Sequence, residues 1–234
     1  LTGSLLNSFA ERSDFPAVGD WLLVDPDAGH EHWIIREVLP RYSSLTRKVA
    51  GEVTESQVLA ANIDWVFIVN SLDGGRNFNP RGIERYVAST WESGARPVVI
   101  LNKADLCNDI DTKILEAEAA APGVPVLQLS ALTGNGIEKL SEFLSPGRTV
   151  VLAGRSGVGK SSIINKLAGE RIMDTGEERR QDRRGRHTTT RRQLVLLPSG
   201  ALFIDTPGLR ELALWADSST INSAFPEIEA LAAS

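Results

Sequence analysis

The stretch TVVLAGRSGVGKS, Thr149 to Ser161, decides the fold. Its first five residues, Thr149 to Ala153, are apolar or β-branched and read as a buried strand. Gly154, Arg155, Ser156, Gly157, Val158, Gly159, Lys160 and Ser161 then satisfy GxxxxGKS between that strand and a helix. The glycines let backbone N–H groups turn inward around a β-phosphate, and the helix starting near Lys160 adds its positive dipole end. In such a loop Lys160 bridges the β- and γ-phosphates, the Ser161 hydroxyl binds Mg²⁺, and Ser162 reaches the α-phosphate. The bland alternative is a glycine-rich turn that binds nothing. A phosphate loop alone does not choose between GTP and ATP.

Working outward, apolar strand-like runs alternate with helical stretches from Ile63 onward, the pattern of a parallel sheet covered by helices. The predicted strands are Trp65 to Val69, Val98 to Leu101, Val126 to Leu129, Thr149 to Ala153, Gln193 to Leu197 and Leu202 to Ile204. Four of them run directly into a motif, where ligands of open α/β sheets bind. Ahead of them, short β-like runs (Asp20 to Val24, His32 to Val38, Ser44 to Val49) broken by Pro, Gly and Asp predict a small all-β module. The expected division is 1–58 for that module, 59–215 for the nucleotide domain and 216–234 for the start of a further segment.

Asn102, Lys103, Ala104 and Asp105, at the end of the strand Val98 to Leu101, form NKxD. The Asp105 carboxylate accepts two hydrogen bonds from the N1–H and 2-amino group of guanine, a donor pair that adenine lacks. An unpaired, desolvated carboxylate costs on the order of 1 to 3 kcal/mol or more, so this residue selects GTP and GDP over ATP. Asn102 is expected to tie the base pocket to the phosphate loop, with the Lys103 stem over the ring. One strand later, Ser130, Ala131, Leu132, Thr133 and Gly134 resemble the SAK element, in which the Ala131 N–H would meet guanine O6. The competing readings are a capped helix start at NKAD and a Ser N-cap before a helix beginning near Gly136.

Asp205, Thr206, Pro207 and Gly208 give DxxG after the strand Leu202 to Ile204. Asp205 should hold a water of Mg²⁺, and the Gly208 N–H should touch the γ-phosphate. Upstream, His187, Thr188, Thr189 and Thr190 end a polar segment, Arg171 to Arg192, that carries eight arginines. Thr189 is the residue expected on Mg²⁺ and γ-phosphate, although β-propensity also explains a Thr run. Where many GTPases have a water-orienting glutamine this chain has Leu209, so slow intrinsic turnover is expected, with a partner or His187 completing the site.

The bulk numbers bound the alternatives. Hydrophobic content of 42% and charged content of 24% are globular values. No run is long and apolar enough to span a bilayer, and Leu1 to Phe9 lacks the pattern of a secretory signal, so a cytoplasmic protein without membrane partners is expected. The start at Leu1 suggests trimming. One cysteine, Cys107, allows neither an internal disulfide nor a thiolate zinc cluster. A net charge of −5 repels nucleic acid overall, so RNA affinity would have to come from local basic segments. Arg41, Arg47 and Lys48 in the front module are one candidate, and the arginines at 179, 180, 183, 184 and 186 a better one.

In chain order the motifs are NKAD, SAL, GRSGVGKS, the Thr run and DTPG, whereas most GTPases begin with the phosphate loop; the domain is expected to be circularly permuted. That order, the β module in front, and the strings AVGDW (Ala17 to Trp21), GRHTTT (Gly185 to Thr190) and DTPGLRE (Asp205 to Glu211) resemble the bacterial small-ribosomal-subunit biogenesis GTPase family, RsgA or YjeQ. The resemblance implies an OB-fold barrel, a permuted GTPase domain with helices on both faces of a mostly parallel sheet, and GTP hydrolysis in late 30S maturation, stimulated by the subunit. It also implies that His187 assists hydrolysis. The 30S subunit and its 16S rRNA are the expected partners of a monomer, with no DNA partner. Members of that family continue into a domain holding Zn²⁺ through three cysteines and a histidine, and none of those ligands follows Phe225, so an incompletely represented protein is expected. The alternative function is a GTP-dependent module that recruits a protein, with incidental hydrolysis.

Overall fold

The structure is a computed structural model that describes residues 14–26, 33–49, 55–75, 77–173 and 193–205. Its centre is a six-stranded sheet. The strands are β5 (Trp65–Ser71), β6 (Arg96–Asn102), β7 (Val126–Gln128), β8 (Thr149–Ala153), β9 (Gln193–Leu196) and β10 (Leu202–Asp205), in spatial order β7-β6-β5-β8-β10-β9. Every pairing is parallel except β10 with β9, so the sheet is mixed only at one edge.

Alternation along the strands sorts the core into two layers. Val66, Ile68, Val99, Leu101, Val151 and Ile204 face one way, against α1 (Pro80–Glu92) and α2 (Ile110–Ala120). Phe67, Val69, Val98, Ile100, Leu152 and Phe203 face the other way, against α3 (Lys160–Ala168) and a 3₁₀ segment, Ile137–Phe143. The helix expected near Gly136 is therefore 3₁₀. Phe143 closes the second layer with its ring edge-on to Trp65 and Phe67, at centroid distances of 5.0 and 6.1 Å. Nearly continuous apolar runs in β5 and β6 follow from burial on both faces.

In front of this sheet lie two antiparallel hairpins, β1 (Leu22–Pro26) with β2 (Trp33–Val38), and β3 (Ser44–Val49) with β4 (Glu55–Ala61). They are consistent with an OB-type module. β4 was not expected, because ESQVLAA is poor in β-branched and aromatic residues. Its pairing extends through Ala61, so the boundary expected at residue 58 falls inside a strand.

The hairpins are fastened to the sheet domain by named bonds. Asn62, buried and in the left-handed region at φ 53°, donates from Nδ2 to Gly19 O at 2.9 Å and accepts from the Tyr42 N–H at 3.2 Å. Asn tolerates that conformation better than most residues. Gly19 sits so close to the Ala61 carbonyl and to Ile204 Cδ1 that a Cβ there would collide with the carbonyl oxygen. Asp20 accepts from the Ala17 N–H at 2.7 Å and from Arg41 Nε and Nη2, each at 2.7 Å, and Arg41 also donates to Phe15 O at 2.9 Å. The Arg41 guanidinium, a sequence candidate for phosphate contact, is thus engaged inside the module.

Candidate functional site

The connections place the motifs at one end of the sheet. Helix α1 leaves β5 on one face, and α3 leaves β8 on the other, although β5 and β8 are neighbours. A crevice therefore opens between their carboxyl ends, where ligands of doubly wound sheets lodge. NKAD follows β6 and SAL follows β7 on one side of it. The phosphate loop follows β8, and Asp205 ends β10, on the other.

Asn102 is the joint between the two sides. It is buried, donates from Nδ2 to Val158 O of the phosphate loop at 2.8 Å, and accepts from the Ala131 N–H at 3.0 Å. The expected tie between base motif and phosphate loop is thus present, 56 residues apart in sequence. The Ala131 N–H, however, is committed to Asn102 in this structure rather than free for guanine O6. The next N–H, that of Leu132, has no hydrogen bond among the described residues, and the Leu132 side chain is exposed. Ser130 is buried, and its Oγ accepts from the Thr133 N–H at 3.2 Å, which folds the loop on itself.

Lys103 has φ 61°, a left-handed conformation that costs a non-glycine residue roughly 1 to 2 kcal/mol. The turn is held by Ala104 N–H to Leu129 O at 3.1 Å and Leu106 N–H to Lys103 O at 3.0 Å. It leaves Asp105 exposed at the rim. The Lys103 ammonium meets Asp73 Oδ2 at 2.6 Å. Lys103 holds the Asp73 carboxyl below the usual carboxylate range, aided by the Ser71 hydroxyl. Asp73 was not singled out from sequence, because the strand Trp65 to Val69 was drawn two residues short of Ser71. The signal was its position, in the loop after the strand that lies between the two motif-bearing strands.

On the phosphate side, Gly154 (φ 132°) passes so close to the Val69 carbonyl that any side chain would collide with it. Arg155, Ser156 and Gly157 are exposed, Val158 is buried, and Gly159 precedes α3, whose first turn carries Lys160, Ser161 and Ser162, all half-buried. Lys160 does not point outward. Its Nζ donates to Gly154 O at 2.6 Å and Arg155 O at 2.7 Å, the loop's own carbonyls. On α1, burial pushes the Tyr86 hydroxyl up, and the charges of Arg155 and Arg85 pull it back.

Parallel pairing of β8 with β10 brings the Asp205 end of β10 beside the strand that leads to Ser161. Among the described residues no group of three acidic, His or Cys side chains forms a protein-only metal centre. One hydroxyl and one carboxylate, completed by phosphate oxygens and water, is a donor set that suits Mg²⁺. His187, Thr189 and Gly208 lie outside the described residues.

The chain is similar in sequence and in fold to known proteins. A family model described as RsgA GTPase matches residues 38–215. The small ribosomal subunit biogenesis GTPase RsgA 1 of Oceanobacillus iheyensis is 44% identical, over 99% of this chain and 66% of its own length. The RsgA of Opitutus terrae is 48% identical, over 99% and 65%. The chain thus spans a little under two thirds of these relatives. Among solved structures, YjeQ from Thermotoga maritima is 30% identical with a TM-score of 0.62, covering 85% of this chain and 63% of its own. YloQ, described as a circularly permuted GTPase, has a TM-score of 0.60 at 21% identity, over 92% and 65%, and supports the fold alone. The permuted order read from the motifs is therefore a property of the fold.

Proposed function

Because this chain belongs to the RsgA GTPase family, we propose that it binds GTP, hydrolyses it to GDP and phosphate, and acts in maturation of the small ribosomal subunit. The observation that carries the reading is Asn102, which bonds the phosphate loop at Val158 and the second base loop at Ala131, so that one ligand can span both.

In this reading Asp105 accepts the N1–H and 2-amino protons of guanine, and the Lys103 stem lies against the ring. An arriving base takes the Leu132 N–H, or shares the Ala131 N–H with Asn102. Lys160 swings from the Gly154 and Arg155 carbonyls to the β- and γ-phosphates, exchanging neutral acceptors for charged ones. Mg²⁺ would be held by Ser161, by Thr189 and, through water, by Asp205, and would neutralise charge on the phosphates. Gly208 donates its N–H to the γ-phosphate, and His187 orients the attacking water in place of a glutamine.

The 30S subunit and its 16S rRNA are the proposed partners of a cytoplasmic monomer, with the arginines at 179 to 186 as the RNA contact. No described helix is long and apolar enough to cross a membrane. The domain scheme proposed is the β module to about residue 58, the permuted GTPase domain to about 215, and a further segment from 216. Steady-state GTP hydrolysis with and without purified 30S subunits tests the function: a large rise with subunits is expected. A rate unchanged by 30S would instead favour a binding module.

A further inference from the structure

We infer that Asp73 is a positioning residue for the guanine base: it anchors the Lys103 ammonium so that the lysine stem lies as a fixed rail along one side of the base pocket. The inference rests on the guanine-nucleotide reading above. β5 is the strand between the base-reading strand β6 and the phosphate-loop strand β8, so the loop after Ser71 opens into the crevice. That loop is pinned to the base motif by the Leu72 N–H, which donates to Asn102 O at 2.9 Å.

From there the Asp73 carboxylate reaches Lys103 with Oδ2 at 2.6 Å, while Oδ1 accepts from the Ser71 hydroxyl at 3.1 Å. One oxygen aims the carboxylate and the other holds the lysine. The pair is about three-quarters buried, with side chains 30% and 22% exposed, so solvent screens it only in part. A lysine side chain free in solvent samples many rotamers, and binding a base against it would freeze them. With the ammonium already held and the backbone locked at φ 61°, that ordering is complete before the nucleotide arrives.

The test is equilibrium binding of fluorescently labelled GDP to the wild-type protein, to Asp73→Ala, Asp73→Asn and Lys103→Met, and to the double variant Asp73→Ala/Lys103→Met. Asp73→Ala should weaken GDP about tenfold, as for loss of one charge-assisted hydrogen bond at a partly exposed site. Asp73→Asn should recover part of that. In the Lys103→Met background the Asp73→Ala change should have no further effect, whereas a residue that merely braces the loop would weaken binding equally in both backgrounds. Additive effects, or GDP affinity unchanged in Asp73→Ala, would overturn the inference alone. Failure of the wild-type protein to bind GDP would overturn the nucleotide reading and the inference with it. Thermal melting of each apo variant confirms that the loss is not one of folding.

Discussion

On the base-reading side of the crevice, side chains do the shaping: Asn102 donates to one loop and accepts from another, Ser130 closes its own turn, and Asp73 holds Lys103. On the phosphate side the shape comes from backbone, with Gly154 and Gly159 passing where no side chain fits, and the Lys160 ammonium is folded onto its own loop's carbonyls. The loops after β5, β6 and β7 are thus held by side-chain bonds. In the proposed function, Lys160 keeps these carbonyls until an anion offers better acceptors. The difference teaches where errors should appear: a changed side chain on the base side alters selectivity, and a changed glycine on the phosphate side removes the loop itself.

The sharpest way to break that contrast is Gly154→Ala. The new Cβ meets the Val69 carbonyl, backbone against backbone, at a φ that L-residues avoid. The expected cost is about 3 kcal/mol or more, by urea denaturation, together with loss of nucleotide binding. A stable, GDP-binding variant would mean that the phosphate side tolerates side chains after all. Asp105→Asn comes next. It should lower GTP affinity about 100-fold, the loss of a charged, doubly bonded acceptor, and raise affinity for xanthosine triphosphate, whose 2-oxo group needs a donor. Competition against labelled GDP measures both, and an equal loss for both nucleotides would show that Asp105 does not read the base.

Asn102→Ala tests the joint. It strands the Val158 carbonyl and the Ala131 N–H, so stability should fall by about 2 kcal/mol in denaturant titration, with GDP affinity falling alongside. Intact affinity at reduced stability would make the joint purely architectural. The smallest effect concerns the seam to the front module. Tyr42 donates to Asn62 O at 2.7 Å, and partial burial with the nearby Asp64 carboxylate pushes its hydroxyl up to about 12. A phenol raised in the folded state contributes stability present below its unfolded value near 10 and lost as pH rises toward 12. Thermal melts of Tyr42→Phe should therefore lose part of the decline that the wild-type protein shows between those pH values.

How far the sequence could be read followed the range of the interactions involved. The phosphate loop and NKAD were legible because a few consecutive residues carry the whole requirement, and β5, β6 and β8 because burial on both faces leaves unbroken apolar runs. β4 was not, since its strand conformation comes from pairing with β3 rather than from its own residues. Nor was Asp73, whose partner stands 30 positions away and is adjacent only through the parallel register of β5 and β6. The Arg41–Asp20 pair was not foreseen for the same reason: its members stand 21 positions apart.

Gly19 and its neighbours have a practical consequence for dividing this protein. The seat that receives the Val18–Gly19 turn is made of Ala61 and Ile204, and Leu45 and Ile63 continue the same apolar layer under the sheet. A fragment starting at Trp65 would carry every nucleotide motif, yet it would strip the cover from Ile204, one residue before Asp205. Such a fragment should aggregate in size-exclusion chromatography, so a piece cut for study is better begun ahead of Ala17.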